Sequence, residues 1–504
     1  MSAASPIAEE RARAGSVRIL RRVFSFPVML ASLLAVLAVL TARGRFDDPD
    51  MWWNLKTGEM IWTTHTIPTR DLFSFTALHH SLIPQEWLSQ LLIYVGYRFG
   101  GYSGIMLWLS FFTAVMFIAG YALCSLYSGN AKVGFLGAMI LWFFSTSGFA
   151  VRAQVIGYVF LVLELLLVHL GRTRSARWFL FLPPLFVLWV NCHGSFFFGL
   201  VVLGVFFICS FFDFRMGSLV SQGWDASRRR MLALSLILSG AAVFLNPVGA
   251  RQVFYPLNTM LHQPLVVSQI DEWKPLVLSS PRGVALLGIL GFVFLYLIVQ
   301  RSKALFLDEL LLLAMGAWFA FSHRRMAFAF GILAAPIVSR LLSESWEGYD
   351  AGRDGPAPNA AFIAVAALVV FLAFPGHQNL EKQVDGSNPI KAVQFIQTHH
   401  LSGNMLNSYV YGGYLIWALP EHPDFIDGRS DLFEWAGIMG QYGEWATLQS
   451  DPNTLLDKYD VDFCLLERGS PMVHVLPLLR NWQQVYSDSD SVIFVRSAAQ
   501  SPST

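Results

Sequence analysis

Charge is what this chain has least of. Asp, Glu, Lys and Arg together make up 14% of it, whereas a soluble globular domain carries about 25%. So little charge cannot cover a water-exposed surface, which excludes an ordinary soluble enzyme. The two signs nearly cancel, to a net +1, so there is no basic excess of the kind that nucleic acid binding requires. Cysteine is scarce as well. Cys124, Cys192, Cys209 and Cys464 have no metal-ligand spacing and three of them sit in apolar runs, which argues for buried thiols and against a disulfide framework. No internal repeat is evident, and paired half-repeats with broken helices are what many transporters show. No small-residue cleavage site follows the basic N-terminus (Arg11, Arg13, Arg18, Arg21, Arg22). The apolar run Phe24 to Ala42 therefore reads as a retained first helix and not as a signal peptide.

What the chain has in abundance is apolar and aromatic residues: 55% hydrophobic, with 42 Phe and 16 Trp. This is the composition of an integral membrane protein. A spanning helix needs roughly 17–25 mostly apolar residues. Eleven segments qualify: 24–42, 103–126, 133–150, 155–170, 176–192, 194–213, 231–248, 283–300, 304–322, 326–342 and 359–376. Segment 86–99 is shorter and interrupted by polar groups. Lys and Arg favour cytoplasmic loops, and that rule decides its status. If 86–99 does not cross, Lys132, Arg172, Arg174, Arg177, Arg215, Arg228, Arg229, Arg230, Arg301 and Lys303 all fall on the cytoplasmic side with the N-terminus; if it crosses, they all face out. The expected organisation is thus an all-α polytopic bundle of about eleven spans. Residues 1–23 form a cytoplasmic basic segment, 24–376 the transmembrane domain, and 43–102 a first outer loop with interfacial helices that include 86–99.

From about 377 the composition shifts toward Pro, Gly and charge. Residues 403–409 and 461–466 read as strands, 412–417 as a short helix and 424–429 as a strand ending in a turn. Residues 482–486 and 492–496 read as a terminal hairpin. This is the pattern of a small extracytoplasmic α/β domain over 377–504.

With this topology the polar residues at helix ends collect on the outer side: Asp48, Asp50, Glu86, Arg152, Gln154, Asn191, His193, Asn246, Asp271, Glu272, His323, Arg324 and Arg325. The densest feature is Phe46-Asp47-Asp48-Pro49-Asp50-Met51-Trp52-Trp53-Asn54-Leu55. Carboxylates beside a membrane are costly unless solvated, paired or metal-bound, and the Trp pair marks the interface. A carboxylate there can take a proton from an acceptor hydroxyl, or hold a divalent ion (magnesium or manganese) between Asp48 and Asp50. Arginines can meet phosphate. Blander readings stand beside each: Asp as a helix cap, Glu86 in the first turn of a helix, His193 as a buried histidine, and Arg152, Arg324 and Arg325 as snorkelling side chains. Asp427-Gly428-Arg429 reads more simply as a turn with an ion pair than as a site.

Asp48-Pro49-Asp50-Met51-Trp52-Trp53-Asn54-Leu55-Lys56-Thr57-Gly58 resembles the start of bacterial membrane proteins of the GT-C glycosyltransferase superfamily. So do Ile67-Pro68, Asp71-Leu72-Phe73-Ser74-Phe75-Thr76 and Gln85-Glu86-Trp87-Leu88. Trp189-Val190-Asn191-Cys192-His193-Gly194, Asn246-Pro247, Glu272-Trp273, Gly412-Gly413-Tyr414-Leu415-Ile416-Trp417 and Phe425-Ile426-Asp427-Gly428-Arg429 extend the likeness over nearly the whole chain. The superfamily includes protein O-mannosyltransferases and oligosaccharyltransferase catalytic subunits. The resemblance implies a sugar donor linked to polyprenyl phosphate, used at the outer face of a bacterial inner membrane, with an acidic pair in the first outer loop. By position that pair is Asp48 and Asp50, with Glu86 a third catalytic candidate. Arg152, Asn191, His193, Glu272, Arg324 and Arg325 are the candidates for substrate binding. If these groups form one site, Asp48 or Asp50 should lie within about 12 Å of His193, Arg152 or Arg324. Two other functions are compatible with the same residues: a transporter or flippase-like protein, and an inactive relative acting as a binding or assembly subunit.

Overall fold

The computed structural model describes residues 19–46, 48–300, 303–343, 346, 348–350 and 352–497, without the side chains of Ser147 and Gln269. Most of the N-terminal basic cluster, Asp47 and Arg301 lie outside the described residues.

A helix overlaps each of the eleven apolar segments. They are Phe26–Ala42, 102–128, Ala131–Ser145, Gln154–Thr173, Leu182–Cys192, Phe196–Cys209, Ala226–Ala242, Pro281–Val299, Leu307–Ser322, Ala327–Leu341 and Pro356–Ala373. Four helices, Trp87–Ser128, Gln154–Thr173, Pro281–Val299 and Pro356–Ala373, are long and apolar enough to cross a membrane. Proline begins the last two, where its missing N–H costs nothing. Their outward faces leave Phe294 66% and Phe371 77% exposed, a surface suited to lipid and not to water.

Successive helices alternate between two ends of the bundle. Trp142 donates to Thr41 Oγ1 and Arg45 to the Thr146 carbonyl, which puts the ends of Phe26–Ala42 and Ala131–Ser145 together. At the opposite end Arg172 pairs with Asp308 at 2.9 Å and Arg340 pairs with Glu309. A small sheet sits at that far end: β1 (Phe214–Met216), β2 (Leu219–Ser221) and β3 (Leu305–Phe306).

Segment 87–100 folds back on the helix that follows it. Gly101 breaks Trp87–Ser128 with φ 56° and ψ −143°, a conformation open only to glycine. The chain doubles back so closely that a Cβ on Gly104 would sit 1.9 Å from the Gly96 carbonyl oxygen. Asn130, just past this helix, donates to the Trp346 carbonyl at the far end of Ala327–Leu341. Residues 86 to 128 therefore pass from one end of the bundle to the other once.

The C-terminal segment sits at the end opposite the small sheet. Its own sheet has the order β4-β5-β7-β6 (Asn404–Asn407, Val461–Glu467, Ser491–Arg496, Trp482–Ser487), with β4 and β5 parallel and the other pairs antiparallel. Helix Tyr409–Ala418 follows β4. The strand expected over 424–429 is not formed. That stretch makes an isolated parallel bridge, Ser74 to Asp424, because side chains take its backbone groups: Asn407 accepts from the Phe425 N–H and donates to the Ile426 carbonyl, and Thr76 donates to the Phe425 carbonyl.

Candidate active site

Helix Asp50–Thr64 starts at the acidic cluster, and Asp48 Oδ1 accepts from the Asp50 N–H at 2.9 Å. The capping reading of Asp48 is thus realised, but only for one oxygen. Its Oδ2 lies 2.7 Å from Arg152 Nε, and Asp50 Oδ2 lies 3.2 Å from another nitrogen of the same guanidinium. The third edge of Arg152 donates to Glu272 at 3.2 and 3.3 Å. Arg152 occupies the turn before helix Gln154–Thr173, and Glu272 the short turn Asp271–Trp273. Three segments far apart in sequence thus meet at one cation.

Beside this cluster lies a cavity of about 850 Å³. Asp50, Glu86, Arg152, His193, Glu272 and Arg325 all line it. No hydrogen bond reaches the Glu86 side chain among the described residues; its nearest partner is His193 Nε2, 3.7 Å away. Burial, reinforced by Asp50, pushes the Glu86 carboxyl up to about 7. Burial likewise raises Asp48 to about 6 against the pull of Arg152. His193 is pushed down to about 3 by burial and by Arg325, so it is neutral at pH 7 and makes no ion pair with Glu86. Ser195 N–H donates to its Nδ1 at 3.1 Å, leaving the ring proton on Nε2 toward Glu86. Arg325 lies over the Trp273 ring, 4.5 Å from its centre. Phe197, Phe198, Val201, Leu257, Met260 and Phe319 also line the cavity and add apolar surface to it.

Three of the expected residues do not face this space. Asn191 is buried, accepting from Trp87 Nε1 at 2.7 Å and donating to the carbonyls of Val187 and Leu245. It fixes the entry of segment 87–100 onto helix Leu182–Cys192. Arg324 points to Asp271 at 3.5 Å and is half-exposed. Asp48 stands behind Arg152.

The C-terminal segment supplies the wall that sequence reasoning missed. Tyr409, Gly428, Arg429, Ser430, Asp431 and Tyr442 line the cavity, and burial raises Asp431 to about 6. A Cβ at Gly428 would fall 1.9 Å from Asp50 Oδ1, so only glycine lets this loop close on the acid. Behind it, Arg429 pairs with Asp427 and with Asp71 of the first loop, all buried. Phe75 donates to the Asp424 carbonyl and Thr76 to the Phe425 carbonyl. The signal for this contact was present as two separate motifs, 71–76 and 425–429, with nothing local to join them.

The acidic pair does not fit a metal ion as arranged. Asp50 Oδ1 accepts from Trp53 Nε1 at 3.1 Å, so all four oxygens of Asp48 and Asp50 already face a guanidinium or an N–H. Among the described residues no group of three His, Cys, Asp or Glu is placed to hold a metal.

No family model and no curated protein matches the chain. Solved structures do. The Archaeoglobus fulgidus oligosaccharyltransferase in its apo form aligns over 95% of this chain and 75% of its own, with 11% identity and a TM-score of 0.53. ArnT from Cupriavidus metallidurans bound to undecaprenyl phosphate aligns over 94% and 98%, with 11% identity and a TM-score of 0.52. Both are GT-C glycosyltransferases. The fold is GT-C-like. At this identity the likeness is one of architecture: a mostly helical membrane fold with several apolar helices and two small sheets. Within this fold the first-loop acids, the turn at 152 and the C-terminal loop at 428 meet at the cavity.

Proposed function

We propose that this chain is a membrane glycosyltransferase, taking a sugar from a polyprenyl-phosphate donor and passing it to a hydroxyl acceptor at the outer face of a bacterial inner membrane. One observation supports this above the others. One cavity in a GT-C-like fold is lined by acids, by Arg152, Arg325 and Arg429, and by apolar side chains, which suits a ligand with an anionic head and a long hydrocarbon tail. In this reading Glu86 is the base. It takes the acceptor's proton as the new glycosidic bond forms and the bond from the sugar to phosphate breaks. Arg325 and Arg152 meet the phosphate that leaves. Asp48, Asp50 and Glu272 hold Arg152 in place, and neutral His193 stands beside Glu86 without adding charge. No metal enters the scheme, because the acidic pair has no free oxygen to offer one.

The test is transfer of labelled sugar from a panel of polyprenyl-phosphate sugars in membranes carrying the wild type and Arg325→Ala. Native mass spectrometry reads bound polyprenyl phosphate in the same samples. Arg325→Ala should weaken donor binding more than turnover, since a phosphate contact exists already in the ground state. Neither binding nor transfer with any donor would end this reading and leave transport or a scaffold role.

The orientation is part of the proposal: N-terminus in the cytoplasm, eleven spans, residues 377–504 outside. All four native cysteines are buried, so single cysteines at Ser128, Ser175 and Ser470 can be read against a low background. Impermeant maleimide should label position 470 in intact cells and leave 128 and 175 unlabelled. Labelling of 175 from outside would invert the topology.

A further inference from the structure

The cluster around Arg152 has the composition of a cation site with the cation built in. Asp48 and Asp50 from the first loop and Glu272 from the turn Asp271–Trp273 converge on one guanidinium, at 2.7, 3.2 and 3.2 Å. The two Asp side chains are 10% and 19% exposed and Arg152 is 24% exposed, so all three are held in a largely dehydrated wall where an uncompensated carboxylate would be costly. The fourth oxygen of the pair is closed off by Trp53 and by the Gly428 backbone. Arg152 also lines the cavity. A guanidinium offers five N–H donors, more than these three contacts use, and the remainder can face a ligand.

From this geometry we infer that Arg152 is the resident cation of the site. It occupies the place between Asp48, Asp50 and Glu272 that a divalent ion would otherwise need, and it presents a fixed positive charge to the donor's phosphate. The phosphate half of this inference rests on the transferase reading; the cation half does not. The arrangement also explains why three acids are placed where an anion must bind. They orient the planar cation and tune it, and the cation contacts the ligand.

Manganese binding to the purified full-length protein, followed by electron paramagnetic resonance, tests the cation half without any activity. The wild type should bind no manganese at this site. Asp48, Asp50 and Glu272 are held apart by the guanidinium and are not placed to hold a metal as they stand; Arg152→Gln should let them close on the vacated volume and create a site, and Arg152→Gln combined with Asp50→Asn should lose it again. Manganese bound by the wild type and abolished by Asp50→Asn overturns the inference. So does a folded Arg152→Gln protein that binds none. If Arg152→Gln fails to fold, the wild-type and Asp50→Asn measurements decide alone. In parallel, undecaprenyl phosphate should bind the wild type equally well with and without a chelator. Binding that requires manganese overturns the inference. No binding under either condition removes the transferase reading but leaves the manganese result standing.

Discussion

Glu86→Gln is expected to abolish sugar transfer and, at pH 8, to make the protein harder to unfold. Removing a general base lowers a rate by roughly 10²–10⁴. The second effect follows from burial. In the folded chain the Glu86 carboxyl is raised from 4.5 to about 7, so the folded state holds this proton more tightly than the unfolded state does. The associated stability is complete below pH 4.5. It is lost as pH rises toward 7, because the unfolded chain ionises freely in that window and the folded chain does not. By pH 8 the folded protein carries the full cost of a buried carboxylate, on the order of 3 kcal/mol, and glutamine removes it. Thermal melts in detergent at pH 8 should show the variant above the wild type, with the difference shrinking toward pH 4. Wild-type transfer should climb with pH through about 7 as the base form appears. A variant that transfers normally, or that melts lower at pH 8, would refute the role assigned to Glu86. Activity gained at the expense of stability is common where a site needs a strained or poorly solvated group.

The second large effect is expected at Arg429. Its guanidinium is 3% exposed and is paired with Asp71 and Asp427, both at 0%. Asp424 is also fully buried, with neither oxygen hydrogen-bonded. Burial and the neighbouring Asp427 hold Asp424 well above the usual carboxylate range, which favours its neutral form. Arg429→Met leaves two buried carboxylates without a counter-charge, and breaking a buried pair in this way costs about 3–5 kcal/mol. The contact between residues 71–77 and 424–429 depends on that charge, and with it the wall that Gly428 and Asp431 give the cavity. The variant should melt far below the wild type and become cleavable by protease within 66–85. Asp424→Asn should cost far less than Arg429→Met, since it leaves the ion pairs of Arg429 with Asp71 and Asp427 in place. Equal melting temperatures for Arg429→Met and the wild type would show that the cluster does not hold these segments together.

Much of this molecule could be read from the residues in order. Long apolar runs form helices wherever they occur, because a backbone deprived of water must satisfy its own hydrogen bonds. Glycine and proline mark where those helices break or begin, as at Gly101 and Pro281. The Asp-rich start of the first loop and the Glu86 segment were visible as chemistry for the same reason: polar groups among apolar ones are conspicuous. Pairing was not visible. Nothing near Asp50 announces Arg152 or Gly428, because ion pairs and close backbone approaches between distant segments leave no local period. Arg324 and Arg325 are equivalent by sequence. The short turn Arg324–Met326 sends one toward Asp271 and the other over Trp273 into the cavity. Asn191 looked like a site residue for the same reason that His193 did, and only its three hydrogen bonds show that its polarity is used to fasten two helices. Asp431 drew no notice in a polar C-terminal segment, and it gains its meaning from burial. Composition and pattern therefore determined the kind of protein and the end of the bundle where its chemistry lies. Which charges face one another was decided by tertiary packing, since the cost of a buried charge depends on its neighbours in space and not on those in the chain.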